Sequence, residues 1–378
     1  MKRAVAPALV PLFLAVNLFA FDDLTELSDE FDSASTITNW HRIYQIEGWG
    51  NNALEQFDIN TSRPGRMFML PHTSTWFAEW RGELTFKTVS GDFVITTEVE
   101  PHSRSGSGAP QSLYSLAGIM VRAPRTMTAP NQWTPGGQNY VFLSLGAASD
   151  PGQFQFEVKT TVNSESTLHI TPGVGRAQIQ VARLGGHFIM LRRNEGGAWT
   201  VHRRFPRPDM PATLQAGLTV YTDWSICEQV GFQFQNANVL TNGTQLPNSQ
   251  TLSGCQPDLA ASFDFVRYQR PNIPAALAGA DFSNPQAVSD ATLLTFLGEN
   301  AMIPGGAAVA PTIVISSENA SEISLNVATQ PDRSYRIQSS ADRETWDTLR
   351  NFVSTDSTVN ATNLAPEAMR HFFRAVTP

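Results

Sequence analysis

The sequence predicts an all-β sandwich, and three observations carry that prediction. Between Arg176 and Trp224 apolar residues recur at every second position: Ala177, Ile179 and Val181, then Phe188 and Met190, then Leu214, Leu218 and Val220. That period buries one side of each segment, as a half-exposed strand requires. Turn chemistry separates the segments. Gly185-Gly186 and Glu195-Gly196-Gly197 close two hairpins that share a strand, and the prolines of RPDMP, which cannot donate to a ladder, mark a corner. Composition agrees: 26 Gly, 24 Pro and only 16% charged residues suit a globular β protein with many turns. The four segments read as one meander.

A chain of 378 residues leads us to expect two domains after removal of a leader. Met1-Lys2-Arg3 followed by the apolar run Ala4 to Ala20 has the form of a secretory signal peptide (1–20) cut after Ala20. The alternative, an uncleaved anchor, is disfavoured by the short run and its two prolines. The expected location is therefore secreted, periplasmic or cell-surface, and no later stretch is apolar enough to span a membrane. The formal net charge of -8 argues against a nucleic-acid partner, because such a surface repels phosphates. Export also makes the two cysteines interpretable. Cys227 and Cys255 lie in one Asn- and Gln-rich insertion, and a disulfide there would contribute about 3 kcal/mol in the chain-entropy model.

Taken in order, an acidic opening leads to Phe31, Trp40 and Trp49, which suggests a first strand laid across the sandwich. Alternating Met67 and Met69 follow. Phe86 and Val89 lead through Ser90-Gly91-Asp92 into a strand with Phe93, Ile95, Thr97 and Val99 on one face. AGIMVR, NYVFLSLG and FQFEVKTTV supply further strands before the meander, and AASFDFVRYQR closes the unit after the insertion. Residues 271–310 turn rich in Ala, Pro and Gly, with one short helix expected from Asp290 to Leu297, capped by Ser289. They read as a linker. From residue 311 to 378 alternation returns in TIVISS, EISLNVAT, SYRIQSS and HFFRAVTP, which predicts a second, small β-sandwich.

The order WRGELTFKTVSGDFVITTEV, AGIMVR, NYVFLSLG, FEVKTTVNSES, ARLGGHFIMLRR, PATLQAGLTVYTDW and FDFVRYQR resembles bacterial concanavalin-A-like jelly-roll domains. The form is that found alone in secreted proteins of unknown function, or at the C-terminus of β-xylosidase-like enzymes, and it covers Ser28 to Arg270 of the unit assigned to 21–270. The resemblance implies two curved antiparallel sheets with a concave face that accommodates saccharides in many relatives. The insertion holding Cys227 and Cys255 departs from it. SYRIQSSADRETW is similar to fibronectin-type-III-like modules, which implies no particular ligand.

No catalytic constellation is visible. The Glu-x-Asp-x-x-Glu run of laminarinase-type relatives is missing, seven scattered histidines offer no zinc spacing, and GxSxG does not occur. Aromatics are the better signal, because sugar C–H faces stack on exposed rings. Trp76, Trp80, Trp133 and Trp224 fall in loops or at strand ends, with Glu79 and Arg81 beside the first pair. Any one of these rings could instead plug the end of the sandwich. Glu157 and Lys159, with Arg122, are candidates for orienting hydroxyls on the concave face, or else a solvated ion pair. No cofactor is required, although Asp29, Asp32 and Asp264 could meet around a structural calcium ion. The expected function is a secreted carbohydrate-binding or adhesion protein whose partner is a polysaccharide or cell-surface glycan. A glycoside hydrolase or lyase with an unrecognised site, and a purely structural envelope protein, are the alternatives.

Overall fold

The computed structural model describes residues 22–106, 108–302, 313–319, 322–328, 333–340, 345–354, 358–364 and 372–376; the expected leader lies outside them. Fourteen strands precede residue 270. They are β1 (His41–Arg42), β2 (Leu54–Ile59), β3 (Met67–Pro71), β4 (Glu83–Ser90), β5 (Phe93–His102), β6 (Ser115–Arg122), β7 (Tyr140–Ala147) and β8 (Gln155–Val162), then β9 (Glu165–Pro172), β10 (Ala177–Leu184), β11 (His187–Asn194), β12 (Thr200–Pro206), β13 (Thr213–Tyr221) and β14 (Ala260–Gln269). They form two antiparallel sheets of seven strands each, ordered β1-β4-β13-β6-β7-β8-β9 and β12-β11-β10-β5-β14-β3-β2. The all-β sandwich expected from the alternation is what the chain builds.

The alternating residues meet between the sheets. Ile119, Val121, Val141, Leu143, Phe156, Leu214 and Leu218 of the first sheet pack against Phe93, Ile95, Ile179, Val181, Met190 and Phe263 of the second. The expected four-strand meander needs correction. Only β10, β11 and β12 are consecutive neighbours, whereas β13 leaves for the other sheet and inserts between β4 and β6. The proline corner explains the jump, because Pro206, Pro208 and Pro211 withhold three donors where a hairpin would need them. The opening segment also differs: 3-10 turns, the two-residue β1 and the single-turn helix α1 (Ile43–Ile46) stand where a first strand laid across the sandwich was expected.

Residues 273–301 are not a free linker. Phe282, Val288, Leu293, Phe296, Leu297 and Ala301 pack on Val94, Ala182, Leu184, Ile189, Leu191 and Trp199, covering the outer face of the second sheet. The predicted helix is present as a short segment, Asp290–Leu294, with Ser289 accepting a hydrogen bond from Thr292 N. Gln180, at an outward position on β10, donates to Gly298 O and accepts from Gly298 N. The small C-terminal unit contributes two three-stranded sheets built from Ile313–Asn319, Glu322–Ala328 and Thr358–Leu364, and from Asp347–Ser354, Arg333–Ser340 and Phe372–Val376. Leu325, Val327 and Ile337 are buried at its centre. Among the described residues no helix is long and apolar enough to cross a membrane.

Candidate functional site

The outer face of the first sheet is covered rather than open. Leu84, Phe86, Leu116, Met120, Tyr140, Phe142 and Tyr221 form an apolar layer there with Trp76 and Ile43. Strand alternation sets Glu157, Lys159, Arg122, Ser144 and Gln215 on the same face. Two segments close over them, the loop 73–82 and the insertion after β13. The insertion begins with two short helices, Trp224–Val230 and Phe232–Ala237. Its amides clamp the loop: Gln235 Nε2 donates to Arg81 O at 2.7 Å, Asn236 Oδ1 accepts from Arg81 N at 2.8 Å, and Asn236 Nδ2 donates to Glu79 O at 2.8 Å. The Asn and Gln richness that looked merely polar in sequence thus satisfies the backbone of a buried loop.

Where these covers meet, a cavity of about 160 Å³ opens, lined by Thr75, Phe77, Tyr114, Lys159, Leu168 and Trp224. Its walls are aromatic. Trp224 lies edge-on to Phe77 and to Trp80, each at 5.3 Å, and to Tyr114 at 6.5 Å. Its one charged lining group is the Lys159 ammonium, which donates to Trp76 O at 2.7 Å and pairs with Glu157 Oε1 at 2.9 Å. Both partners are buried, and Glu157 Oε2 has no hydrogen-bond partner. Burial lowers the Lys159 pKa, and the Glu157 carboxylate opposes that shift. Burial next to Glu157 holds the Tyr221 hydroxyl well above its ordinary range, so it stays protonated beside the carboxylate, at 3.4 Å from Oε1. An ammonium has three donors, and two are taken; the third has no hydrogen-bond partner among the described residues, and the nitrogen lies 5.4 Å from the centre of the Phe77 ring that lines the cavity.

The backbone around the cavity is held in unusual conformations. Ala78, Tyr114 and Asp223 are non-glycine residues with φ of +46°, +51° and +64°. Such positions cost on the order of 1 kcal/mol or more each and persist only where their surroundings fix them. Asp223 shows how: its Oδ2 accepts from Thr73 Oγ1 and from Gln256 N, both at 2.8 Å, and the next residue is Trp224, whose N–H donates to Leu113 O. The turn that starts the insertion is therefore also the turn that aims the indole.

The expected site residues separate into distinct groups. Lys159 and Trp224 line the cavity, with Glu157 behind the first and Trp80 beside the second. Trp76 is fully buried, donates from Nε1 to Glu83 O, and packs on Tyr140 at 5.6 Å. A Cβ at Gly82 would fall 2.7 Å from its ring. The expected Trp76 and Trp80 platform is thus corrected: the first ring is core and the second is wall, donating from Nε1 to Cys227 O. Arg81 and Arg122 are also buried and do not line the cavity. Arg122 pairs with Glu47 at 2.7 Å and binds Gln138 and Gln215, while Arg81 binds Asn51 and Asn236 O and stacks over Trp49. Glu79 accepts from Trp133 Nε1 and Gly136 N, tying two loops together away from the cavity.

The calcium candidates do not converge. Asp29 accepts from Phe31 N and Trp40 Nε1, Asp32 pairs with Arg336, and Asp264 lies 3.7 Å from Arg66. Among the described residues no three His, Cys, Asp or Glu side chains are grouped to hold a metal ion. Cys227 and Cys255 share one small core with Ile226, Leu240 and Leu252, packed under Trp80 and Trp224, and their sulfurs are unbonded in this structure. Phe77, Tyr114, Thr75 and Leu168 were missed in the sequence. The one available signal was an aromatic residue in each of two loops, because the closure that brings Phe77 and Tyr114 to Leu168 and Trp224 joins segments far apart in the chain.

No protein-family model matches the chain, and no curated protein does. Solved structures with a similar arrangement include a functionally unknown protein from Saccharomyces cerevisiae, 13% identical over 62% of this chain and 98% of that one, with a TM-score of 0.37. The GH43 BlXynB protein from Bacillus licheniformis is 13% identical over 66% of this chain, with a TM-score of 0.41, and the match spans 40% of that protein's length. A lectin from Bauhinia forficata, solved in complex with GalNAc, is 10% identical over 64% of this chain and 96% of the lectin, with a TM-score of 0.34.

Proposed function

We propose that this is an exported carbohydrate-binding protein that holds one sugar residue of a glycan in the cavity of Phe77, Tyr114, Trp224 and Lys159. The observation that carries the reading is the pairing of aromatic walls with a single ammonium that has one donor to spare. A pyranose offers apolar C–H faces to rings and hydroxyl acceptors to an ammonium, so its two kinds of surface match the two kinds of lining. The volume is below the several hundred Å³ of drug-sized pockets, which suits one ring rather than a buried oligosaccharide. Binding, not bond cleavage, is what the lining supports. Glycoside hydrolysis needs two carboxylates across the ring, and the cavity wall supplies none.

Export belongs to the same proposal, on the strength of the basic and apolar start of the sequence. With it comes oxidation of Cys227 and Cys255, which already share one core. A glycan array probed with mature protein, followed by titration calorimetry of the hits against wild type and Trp224→Ala, tests the binding reading. At least one neutral glycan should bind and lose about fivefold or more in the variant, as expected for about 1 kcal/mol of stacking. An array blank for every glycan would overturn it. Mass spectrometry of exported protein should show both thiols blocked, and free thiols would overturn the oxidation.

A further inference from the structure

The open side of the sandwich carries a second feature. β9 ends the first sheet and β12 ends the second. On β8 the inward residues Phe156 and Val158 belong to the core, and their partners on β9 are Thr171 and His169. A hydroxyl and an imidazole therefore point inward where a closed sandwich would place aliphatic side chains. On β11 the inward series runs Phe188, Met190, Arg192, and Arg203 of β12 sits opposite Met190. The ladder then slips, leaving His202 as an extra residue of β12. Such bulges re-aim a side chain. Here the bulge turns His202 inward, with its ring 6.0 Å from Phe156, whose face also carries the Arg192 guanidinium at 4.4 Å.

Arg192, Arg203, His169 and His202 thus gather at one mouth. Among the described residues no carboxylate pairs with any of them, while the neighbouring Arg193, Arg204 and Arg207 hold Glu299, Asp290 and Asp209. Arg192 donates only to Pro172 O, at 3.3 Å. His202 Nε2 and Thr171 Oγ1 are buried without a hydrogen-bond partner. Burial first, then repulsion from Arg192, Arg203 and His169, pushes His202 down to about 4, and burial with repulsion from Arg203 lowers His169. In a chain of net charge -8, an uncompensated cationic group facing the core edge is unusual.

We propose that this mouth is an oxyanion-binding site, in which a sulfate, phosphate or carboxylate bridges Arg192 and Arg203 and accepts from Thr171 and a protonated His202. The oxyanion is either free or carried by a glycan as a sulfate ester or uronate. The site is separate from the aromatic cavity and does not depend on it.

Histidine side-chain resonances of the full mature chain, titrated between acid and neutral pH, provide the test. The additions are inorganic sulfate, a sulfated tetrasaccharide, and a neutral tetrasaccharide of equal length. The His202 midpoint should rise by about one unit or more with either anion and not with the neutral sugar, while His72, next to β3 near the opposite edge of the second sheet, stays in place. Saturation at lower concentration with the sulfated sugar would assign a glycan-borne group; equal concentrations would assign the free ion. Arg192→Gln with Arg203→Gln should weaken binding at least tenfold. If the double variant melts early, Arg203→Gln alone, at an exposed position, should still weaken it severalfold. Equal movement of His202 and His72, or none, would overturn the site. Loss of neutral-glycan binding in Trp224→Ala would leave it untouched, so the two proposals fail separately.

Discussion

The outer faces of the two sheets are both covered, but by different chemistry. On the second sheet, Ala182, Leu184, Ile189 and Leu191 meet Phe282, Leu293, Phe296 and Leu297, side chains with no polar atoms to satisfy. On the first sheet the apolar layer of Leu84, Phe86, Tyr140 and Phe142 is interrupted by Lys159, Glu157, Arg122, Glu47 and Arg81, each requiring named partners. An apolar cover stabilises through the area removed from water, at about 25 cal/mol per Å², and tolerates small misfits. A buried ionic cover gains little net stability, because desolvation offsets the attraction. What it gains is fixed geometry, and the aromatic cavity opens on that side. Burial pushes Arg81 down to about 10 even though Glu47 and Glu83 oppose the shift.

The contrast is broken most severely at the ion pair. Lys159→Met would leave Glu157 buried without its cation, and we expect a loss of about 3–5 kcal/mol in chemical denaturation. Adding Glu157→Leu should recover much of it, whereas a solvated pair would show neither effect. Trp76→Ala should also cost about 3–5 kcal/mol, since the ring is core. On the opposite face Leu297→Ala should cost about 2–4 kcal/mol. If residues 273–301 were a mere tether, its melt would be unchanged, and limited proteolysis would cut there first.

These contrasts also show what could be read from the sequence. Alternation located most strands of the large sandwich correctly, because period two is a local property of Ile179, Val181 or Leu218. It could not say that β13 crosses to the other sheet, since strand order depends on pairings with β4 and β6 far away in the chain. The Ala- and Pro-rich composition of 271–310 suggested a linker because its apolar residues are too sparse to show a period, yet Phe282, Leu293 and Phe296 find a ready-made apolar sheet. At the site, Glu157 and Lys159 were legible as a polar pair on one face of a strand, and Trp224 as an aromatic residue in a loop or at a strand end. Trp76 was misjudged because its position in a loop looks exposed until Gly82 is seen to admit the ring.

His202 sharpens a third contrast, between an edge that binds charge and a core that excludes it. Its folded pKa lies near 4 and the unfolded value near 6.5, so protonation favours the unfolded chain. Its contribution is therefore neutral above pH 6.5 and becomes destabilising as pH falls from there toward 4, below which it levels off. Discounted for partial exposure, the loss is about 1–2 kcal/mol. His202→Gln should flatten the stability profile across that window, measured by denaturation at successive pH values. An unchanged slope would place the ring in solvent.

The smallest expected effect on folding is also the most informative about function. Trp224 is only partly buried, stands at the start of the insertion, and touches Phe77, Trp80 and Tyr114 edge-on. Trp224→Ala removes one wall of the cavity while Trp80 still packs over the insertion core with its Nε1 on Cys227 O. The melting midpoint should fall far less than in Trp76→Ala, because less of the indole leaves an apolar surrounding. Affinity for a neutral glycan should nevertheless drop about fivefold or more, since the lost contact is with ligand. Lys159→Arg offers the complement: a planar guanidinium cannot occupy the space of an ammonium between Glu157 and Trp76 O, so it should disturb hydroxyl binding while keeping the charge. If Trp224→Ala melted as early as Trp76→Ala, the indole would be a structural plug, and the cavity would lose its claim to a sugar.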